Sequence, residues 1–436
     1  MLNKARAFLG TDVDNSPLIL FRIVFGILLA CECIGAVFTG WVHETFITPK
    51  ITFTVIGLEW LQPLDGNGMI YYFLIMGLLG IMISLGLFYR ASTFAFTAMW
   101  AVVYVMQKSH YNNHYYLLVL LGTAMFLMPA HKAKSLDVHW RFTVPSETCQ
   151  RVCHWFFIIQ ILIVYCFASI HKMNVDWIAG KPLDLWFTAK SDFWLIGPLL
   201  GTDWMPYVIA WGGILYDGSI TLLLLFRRTR KAGFILSVVF NLFNSAVFLI
   251  GIFPYLMILL TVFFYPPETI RNIFFKKKTS VRPIQRKLSS SWTFILILYF
   301  SIHLILPLRH HLFRGQVSWT DEGHRLAWRM MLRTKYGSLK FSIEDKETGL
   351  RERVVLKDHL IPNQISSLKG HPDMIWQFAQ YLKKINAKEG KDVGVYAEAK
   401  ISLNGHPRRS FIDPKVDLAS VPWEPFKHAE WILIDE

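Results

Sequence analysis

The chain has 436 residues, of which 53% are hydrophobic and only 17% charged; ordinary soluble domains carry about a quarter charged residues. That balance argues against a soluble enzyme, and 16 Trp, 16 Tyr and 34 Phe suit aromatic belts at two membrane interfaces. The formal net charge of +14 lies largely in short loops between apolar runs, where it sets topology and does not call for nucleic acid.

A membrane span needs roughly 20 mostly apolar residues. Candidates lie near 17–40, 69–88, 92–107, 114–130, 152–170, 207–226, 232–250, 252–266 and 291–309. The run from Gly233 to Tyr265 is too long for one untilted helix, and "GIFP" at 251–254 is the natural break. The first apolar segment is long and contains Arg22, so a cleavable signal is not expected. Basic residues follow alternate spans: Lys4 and Arg6, then Arg90, then Lys132, Lys134 and Arg141, then "RRTRK" at 227–231, then "KKKTSVRPIQRK" at 276–287. Placing all of them in the cytoplasm predicts about nine crossings, a cytoplasmic N-terminus and an extracytoplasmic C-terminal region. The segments 41–68, 108–113 and 171–206 then share the outer side.

Residues 310–436 change character. "GSLKFSIEDKETGLRERVVL" predicts two strands around a polar turn. "HPDMIWQFAQYLKKINAKEG" predicts an amphipathic helix with Ile375, Phe378, Ala379 and Leu382 on one side. "VGVYAEAKISLNGHPRRSFI" predicts a hairpin turning at Asn404-Gly405. The expected architecture is an all-α polytopic membrane domain over 1–309 followed by a small extracytoplasmic α+β domain over 310–436. All five cysteines lie at or before Cys166, in no zinc-like spacing, so neither a metal site nor a disulfide framework is expected in the later domain.

Polar residues gather where the outer ends of the spans are expected. "KSHYNNHYYL" at 108–117 holds Asn112, Asn113 and His114; His171 and Lys172 end the fifth span; Asn241, Asn244 and Ser245 lie inside the seventh. Each has a plain structural explanation: helix capping for the Asn112–His114 group, interhelical hydrogen bonds for Asn244 and Ser245, snorkelling to the headgroups for Lys172. Their convergence at one membrane depth favours a site.

Seven segments run in order along the chain: "LFRIVFG" at 20–26, "LGLFYR" at 85–90, "YNNHYYL" at 111–117, "HKMNVDW" at 171–177, "FNLFNSAVFLIGIFPYLMI" at 240–258, "WRMM" at 328–331 and "FIDPKVDLASVPWEPF" at 411–426. In these segments and their order the chain resembles the vitamin K-dependent gamma-glutamyl carboxylase family, including bacterial-type homologues that share the horizontally transferred transmembrane (HTTM) domain. It implies a carbon–carbon lyase that uses reduced vitamin K, a naphthohydroquinone, with O2 and CO2 as co-substrates and no metal. A lysine deprotonates the quinol, which is oxidised to its epoxide; a glutamate γ-proton is then removed and CO2 adds, giving gamma-carboxyglutamate in a protein or peptide substrate. By this resemblance Lys172 is the initiating base and His114 serves later proton handling or CO2 addition. Asn112, Asn113, Asn241, Asn244, Trp328, Met330 and Met331 would lie at the quinol and substrate site. The implied partners are a glutamate-containing peptide, membrane lipids and quinone.

Asn241 stands where the family usually has His, and Leu326 and Arg329 where vertebrate enzymes read Tyr and Asp. The first departure favours an alternative, quinol oxidation or epoxidation without carboxylation; a non-catalytic quinone- or lipid-binding protein is a third possibility. As a base, Lys172 must lose a proton that a free lysine holds to a pKa of ~10.4, and burial is the force that lowers it. On an unbroken helix Asp176 would share a face with Lys172 and oppose this, so the helix is expected to end near Asn174.

Overall fold

The computed structural model describes residues 2–194, 196–248 and 250–434. The expected span at 232–250 includes Leu249, which lies outside the described residues, as do the extreme ends of the two expected domains, Met1 and Asp435–Glu436.

The chain is mostly helical. Among the described residues six helices are long and apolar enough to cross a membrane: Ser16–Phe38, Gly68–Leu85, Val152–Lys172, Met205–Leu225, Arg230–Phe248 and Ser290–Leu312. A seventh exists if Phe253–Phe264 and Pro267–Phe274, which meet at 116°, count as one broken span. The expected segments near 92–107 and 114–130 are the helices Tyr89–Met106 and Asn113–Leu127, and neither reaches that length and apolarity. The break expected at "GIFP" is present: Gly251 has φ +59° between the helices Arg230–Phe248 and Phe253–Leu260.

Two of the spans touch backbone to backbone. A Cβ on Gly26 would sit 2.4 Å from the Ser84 nitrogen, and one on Gly80 2.7 Å from the Ala30 nitrogen. In lipid, helix association rests on such close approach, because burial alone offers little. The helical part has its own core, running from Phe21 and Phe25 through Phe157 and Phe263.

One end of the bundle carries the basic segments. Strand β1 (Asp12–Asp14) pairs antiparallel with β2 (Thr148–Gln150). Asp14 accepts from Lys278 at 2.5 Å and Arg271 at 3.2 Å, and also from the backbone nitrogen (2.9 Å) and hydroxyl (2.6 Å) of Ser16 at the start of the first span. At the same end the Asp137 carboxylate accepts from the backbone nitrogens of Phe88 and Tyr89. The opposite end carries the C-terminal domain, a four-stranded antiparallel sheet ordered β4-β3-β5-β6. Its strands are β3 (Lys335–Asp345), β4 (Arg351–Val354), β5 (Val393–Leu403) and β6 (Arg409–Ile412). The amphipathic helix is Pro372–Lys388, and Ile375, Phe378, Ala379 and Leu382 are all fully buried against the sheet. Both hairpins form as the sequence predicts, with Asn404 at φ +49° and Gly405 at φ +82° in the second turn.

The segments 41–68, 108–113 and 171–206 all reach this domain. Gln364 donates to the Ile51 carbonyl at 2.7 Å, Ser367 to the Ser109 carbonyl at 3.3 Å, and Trp186 to the Thr334 hydroxyl at 2.6 Å. Phe53 is buried inside the C-terminal core although it lies far upstream in sequence. The domain is therefore docked on the bundle, not tethered beside it.

Candidate functional site

The Val152–Lys172 helix ends at Lys172 because Met173 leaves helical geometry (ψ 57°) and Asn174 starts a new turn. The Asn174 side-chain oxygen accepts from the Trp177 nitrogen at 3.0 Å, capping the short helix Val175–Ile178. The expected break near Asn174 is present, and its effect is the one required: Asp176 is turned away from Lys172. Asp176 instead accepts from Asn404 at 2.9 Å and lies 2.8 Å from the His406 ring, both in the β5–β6 hairpin.

Lys172 nonetheless has an acid. Its Nζ donates to Asp217 Oδ2 at 2.6 Å, across to the Met205–Leu225 helix, and both side chains are largely buried. The amine lies 5.3 Å from the Trp177 ring, which is fixed by its own indole bond to the Ala210 carbonyl at 3.1 Å. Asp217 is the only hydrogen-bond acceptor of the amine among the described residues. An ammonium has three donors, so two N–H directions are left to the space in front of it.

That space is a cavity of about 800 Å³, within the size range of ligand pockets. Lys172, Asp217, His114, Asn112, Asn113, Asn241, Asn244, Met330 and Met331 all line it. Nearly every residue expected at a site is therefore brought to one cavity. Trp328 is not: it is fully buried behind the cavity, its ring 5.1 Å from that of Tyr116. His171 is also turned elsewhere and packs its ring on His310 at 5.5 Å.

The wall residues differ in what holds them. Asn112 is an N-cap, accepting from the Tyr115 nitrogen at 2.8 Å, so its structural explanation holds alongside its place on the wall. Asn113 donates to the Arg329 carbonyl at 3.0 Å and accepts from the Tyr111 hydroxyl at 3.1 Å, tying the C-terminal segment to the bundle. Asn241 donates to the Tyr216 hydroxyl at 3.2 Å and the Ser237 carbonyl at 2.8 Å. His114 packs beside Phe253, and neither its ring nor the Asn244 amide has a hydrogen-bond partner among the described residues. Ser245, by contrast, bonds the Tyr255 hydroxyl at 3.1 Å, the interhelical role expected of it.

The C-terminal domain supplies the remaining wall through His324, Arg329, Met330, Met331, Arg333 and His371. Its backbone is unusual there: Leu326, Trp328 and Met331 have φ of +58°, +57° and +51°. Left-handed non-glycine residues cost on the order of 1–3 kcal/mol each and persist where the surroundings impose them. Burial, partly offset by Asp321, lowers the His371 imidazole to about 4, so it is neutral at pH 7. Burial lowers the Arg329 guanidinium only to about 10, and it stays a cation. Burial pushes the Asp321 carboxyl up, but Arg333 and Lys335 beside it outweigh that and hold it at about 2.

The side facing the Met205–Leu225 and Arg230–Phe248 helices is apolar. Val208, Leu236 and Val239 line the cavity and are also 52%, 42% and 60% exposed, so this wall opens onto the exposed apolar surface of those two helices. Among the described residues no group of three or more His, Cys, Asp or Glu is placed to hold a metal ion.

Sequence reasoning missed Asp217, and the signal for it was available: one acid in the otherwise apolar stretch "YVIAWGGILYDGSITLLLLF". An ionisable residue inside a span is costly and marks a site by default.

Fold and site together define a class: a polytopic helical membrane protein in which a lysine–aspartate pair faces a lipid-side cavity closed by an α+β domain. The HTTM domain model matches residues 11–268, and the model described as vitamin K-dependent gamma-carboxylase, lumenal domain, matches 288–436. The chain belongs to this gamma-carboxylase family. No solved structure matches it.

Proposed function

We propose that the protein is a quinol-dependent carboxylase of peptidyl glutamate, with Lys172 as the base that starts the reaction. The observation that carries this reading is the buried Lys172–Asp217 pair, with His114, facing a single cavity of about 800 Å³. A naphthoquinol headgroup fits such a volume. The apolar lipid-side wall suits its tail, and the two unsatisfied N–H directions of Lys172 suit its hydroxyl oxygen. When bound, the reduced quinone supplies the oxygen-consuming chemistry that drives removal of a glutamate γ-proton.

The residues act as follows. Lys172 cannot serve as base while it is an ammonium. In water an ion pair keeps it so; in a buried pair the separated charges lose much of their solvation. Asp217, 2.6 Å away, is the group placed to take that proton from it. The amine takes the hydroxyl proton and becomes an ammonium held over the Trp177 ring. His114, whose ring makes no hydrogen bond among the described residues, serves the later proton at the glutamate carbon. Asn112, Asn113 and Asn244 orient the substrates by hydrogen bonds, and Met330 and Met331 pack on the ring system. Trp328 acts from behind, holding the Met330–Met331 segment against Tyr116.

The arrangement in the membrane is proposed to be nine crossings, with residues 1–309 as the helical domain. The basic end would face the cytoplasm and the domain 310–436 would be extracytoplasmic. The grouping of the basic segments at one end and of 41–68, 108–113 and 171–206 at the other supports it.

A second reading has its own observation. Asn241 occupies the position where the family usually carries His, and its amide is spent on Tyr216 and Ser237. That favours quinol epoxidation without carboxylation. One assay separates the two: purified protein in detergent with reduced vitamin K, labelled bicarbonate and a glutamate-rich peptide, following epoxide and fixed label independently. Both products support the carboxylase, epoxide alone supports the second reading, and neither product sinks both.

A further inference from the structure

One lysine and two arginines line the cavity: Lys172, Arg329 and Arg333. Lys172 is matched by Asp217 and Arg333 by Asp321. Arg329 is matched by no carboxylate among the described residues; its only side-chain hydrogen bond is to the Ser318 hydroxyl at 2.9 Å. A half-buried guanidinium without a counter-ion is unfavourable, since Asp321 nearby is already shared between Arg333 and Lys335. Its backbone is held in place by Asn113 at 3.0 Å and lies between two left-handed residues, Trp328 and Met331. The local fold thus spends free energy to keep an unpaired cation on the cavity wall. Arg presents a planar fork that meets a carboxylate with two parallel hydrogen bonds.

We propose that Arg329 is the substrate-carboxylate receptor of this protein, binding the side-chain carboxylate of a glutamyl residue that enters from the C-terminal domain side. The inference rests on the carboxylase reading above and deepens it: it assigns the group that tells a glutamate from its neutral analogue. Lys172 is excluded from that task because its charge is already met by Asp217. Ser318 is a positioning residue that sets the plane of the guanidinium.

The test is a binding measurement that reads no product. Full-length protein in detergent is titrated into a dye-labelled apolar pentapeptide with one central glutamate, and into the same peptide with glutamine. The wild type should prefer the glutamate peptide by about tenfold or more, the usual worth of a charge-assisted bond. Arg329→Gln should bring the ratio close to one without weakening the glutamine peptide. Arg329→Lys should keep part of the preference, having the charge but not the fork. Ser318→Ala should lower it a few-fold, and it keeps the proposal testable if Arg329→Gln does not fold. No preference in the wild type, or an undiminished one in Arg329→Gln or in both Arg329→Lys and Ser318→Ala, overturns the proposal. The failures are distinguishable. A wild type that discriminates glutamate through Arg329 but fixes no label sinks the carboxylase reading alone. One that fixes label while Arg329→Gln discriminates normally sinks this inference alone.

Discussion

Two buried lysines, one in the helical bundle and one where the C-terminal domain docks, form a controlled comparison. Lys335 Nζ has an acid in Asp321 at 3.3 Å, and it also donates to the Gly370 carbonyl at 3.0 Å and to the Trp319 carbonyl. All three of its donors are used, which makes it a fixed part of the interface. Lys172 has a closer acid in Asp217, at 2.6 Å, but no other acceptor among the described residues, and it faces a cavity. Burial and an ion pair are common to both. What separates a structural lysine from a reactive one is where the remaining N–H bonds point.

The comparison breaks most decisively at Lys172 itself. Lys172→Arg keeps a charge that Asp217 can pair with, yet an arginine cannot lose its proton. Epoxide formation should fall by roughly 10²–10⁴-fold, the usual contribution of a positioned base, with membrane insertion unchanged. Near-normal epoxide formation by this variant would return Lys172 to a structural role.

The next effect is on stability. Asp217→Asn leaves the ammonium buried without its partner and should cost about 3–5 kcal/mol, read as a lower thermal midpoint in detergent. Lys172→Met with Asp217→Leu should restore most of that midpoint while remaining inactive, since removing both charges removes the desolvation cost. A double variant no more stable than the single would mean that the pair is not what the fold depends on.

At the docking interface the effect is smaller and depends on pH. Asp321 has a folded pKa of about 2, below its ordinary 3.8. A depressed carboxyl contributes stability above its unfolded pKa and loses it as pH falls through the folded value. The wild type should therefore lose up to about 2 kcal/mol between pH ~3.8 and ~2 from this group. Asp321→Asn should be less stable at pH 7 and flatter across that window; an equally steep acid limb in the variant would assign the loss to other carboxyls.

The smallest effect sharpens the contrast between neighbours. Asp176 bonds to Asn404 and His406 in a partly exposed pair, so Asp176→Asn should cost no more than ~1 kcal/mol. It should leave epoxide formation near the wild-type rate, whereas Asp217→Asn should depress it. A loss of epoxide formation in Asp176→Asn as deep as in Asp217→Asn would show that the wrong acid has been assigned.

The C-terminal domain was the more legible region. Strand alternation, the Asn404-Gly405 turn and the apolar face of Pro372–Lys388 are local signals, each written within a few residues. The membrane part gave its apolar segments and the sidedness of its polar ones. It gave 92–107 and 114–130 as spans like the others, whereas the helices there, Tyr89–Met106 and Asn113–Leu127, do not combine the length and apolarity of the six. In the site, the wall residues were legible as polar anomalies. The pairing was not: Asp176 is near Lys172 in sequence, Asp217 is near it in space, and only the helix end at Met173 decides between them. Trp328 does not line the cavity but is buried behind it, a distinction that no local sequence signal draws for an indole.

The open apolar wall at Val208, Leu236 and Val239 changes how affinity has to be expressed. A lipid-tailed ligand that arrives through it never crosses bulk water, so its effective concentration is a mole fraction of the bilayer. Adding detergent or lipid at constant total ligand then dilutes it, and an apparent Michaelis constant quoted per litre would drift with micelle content while one quoted per amphiphile would not.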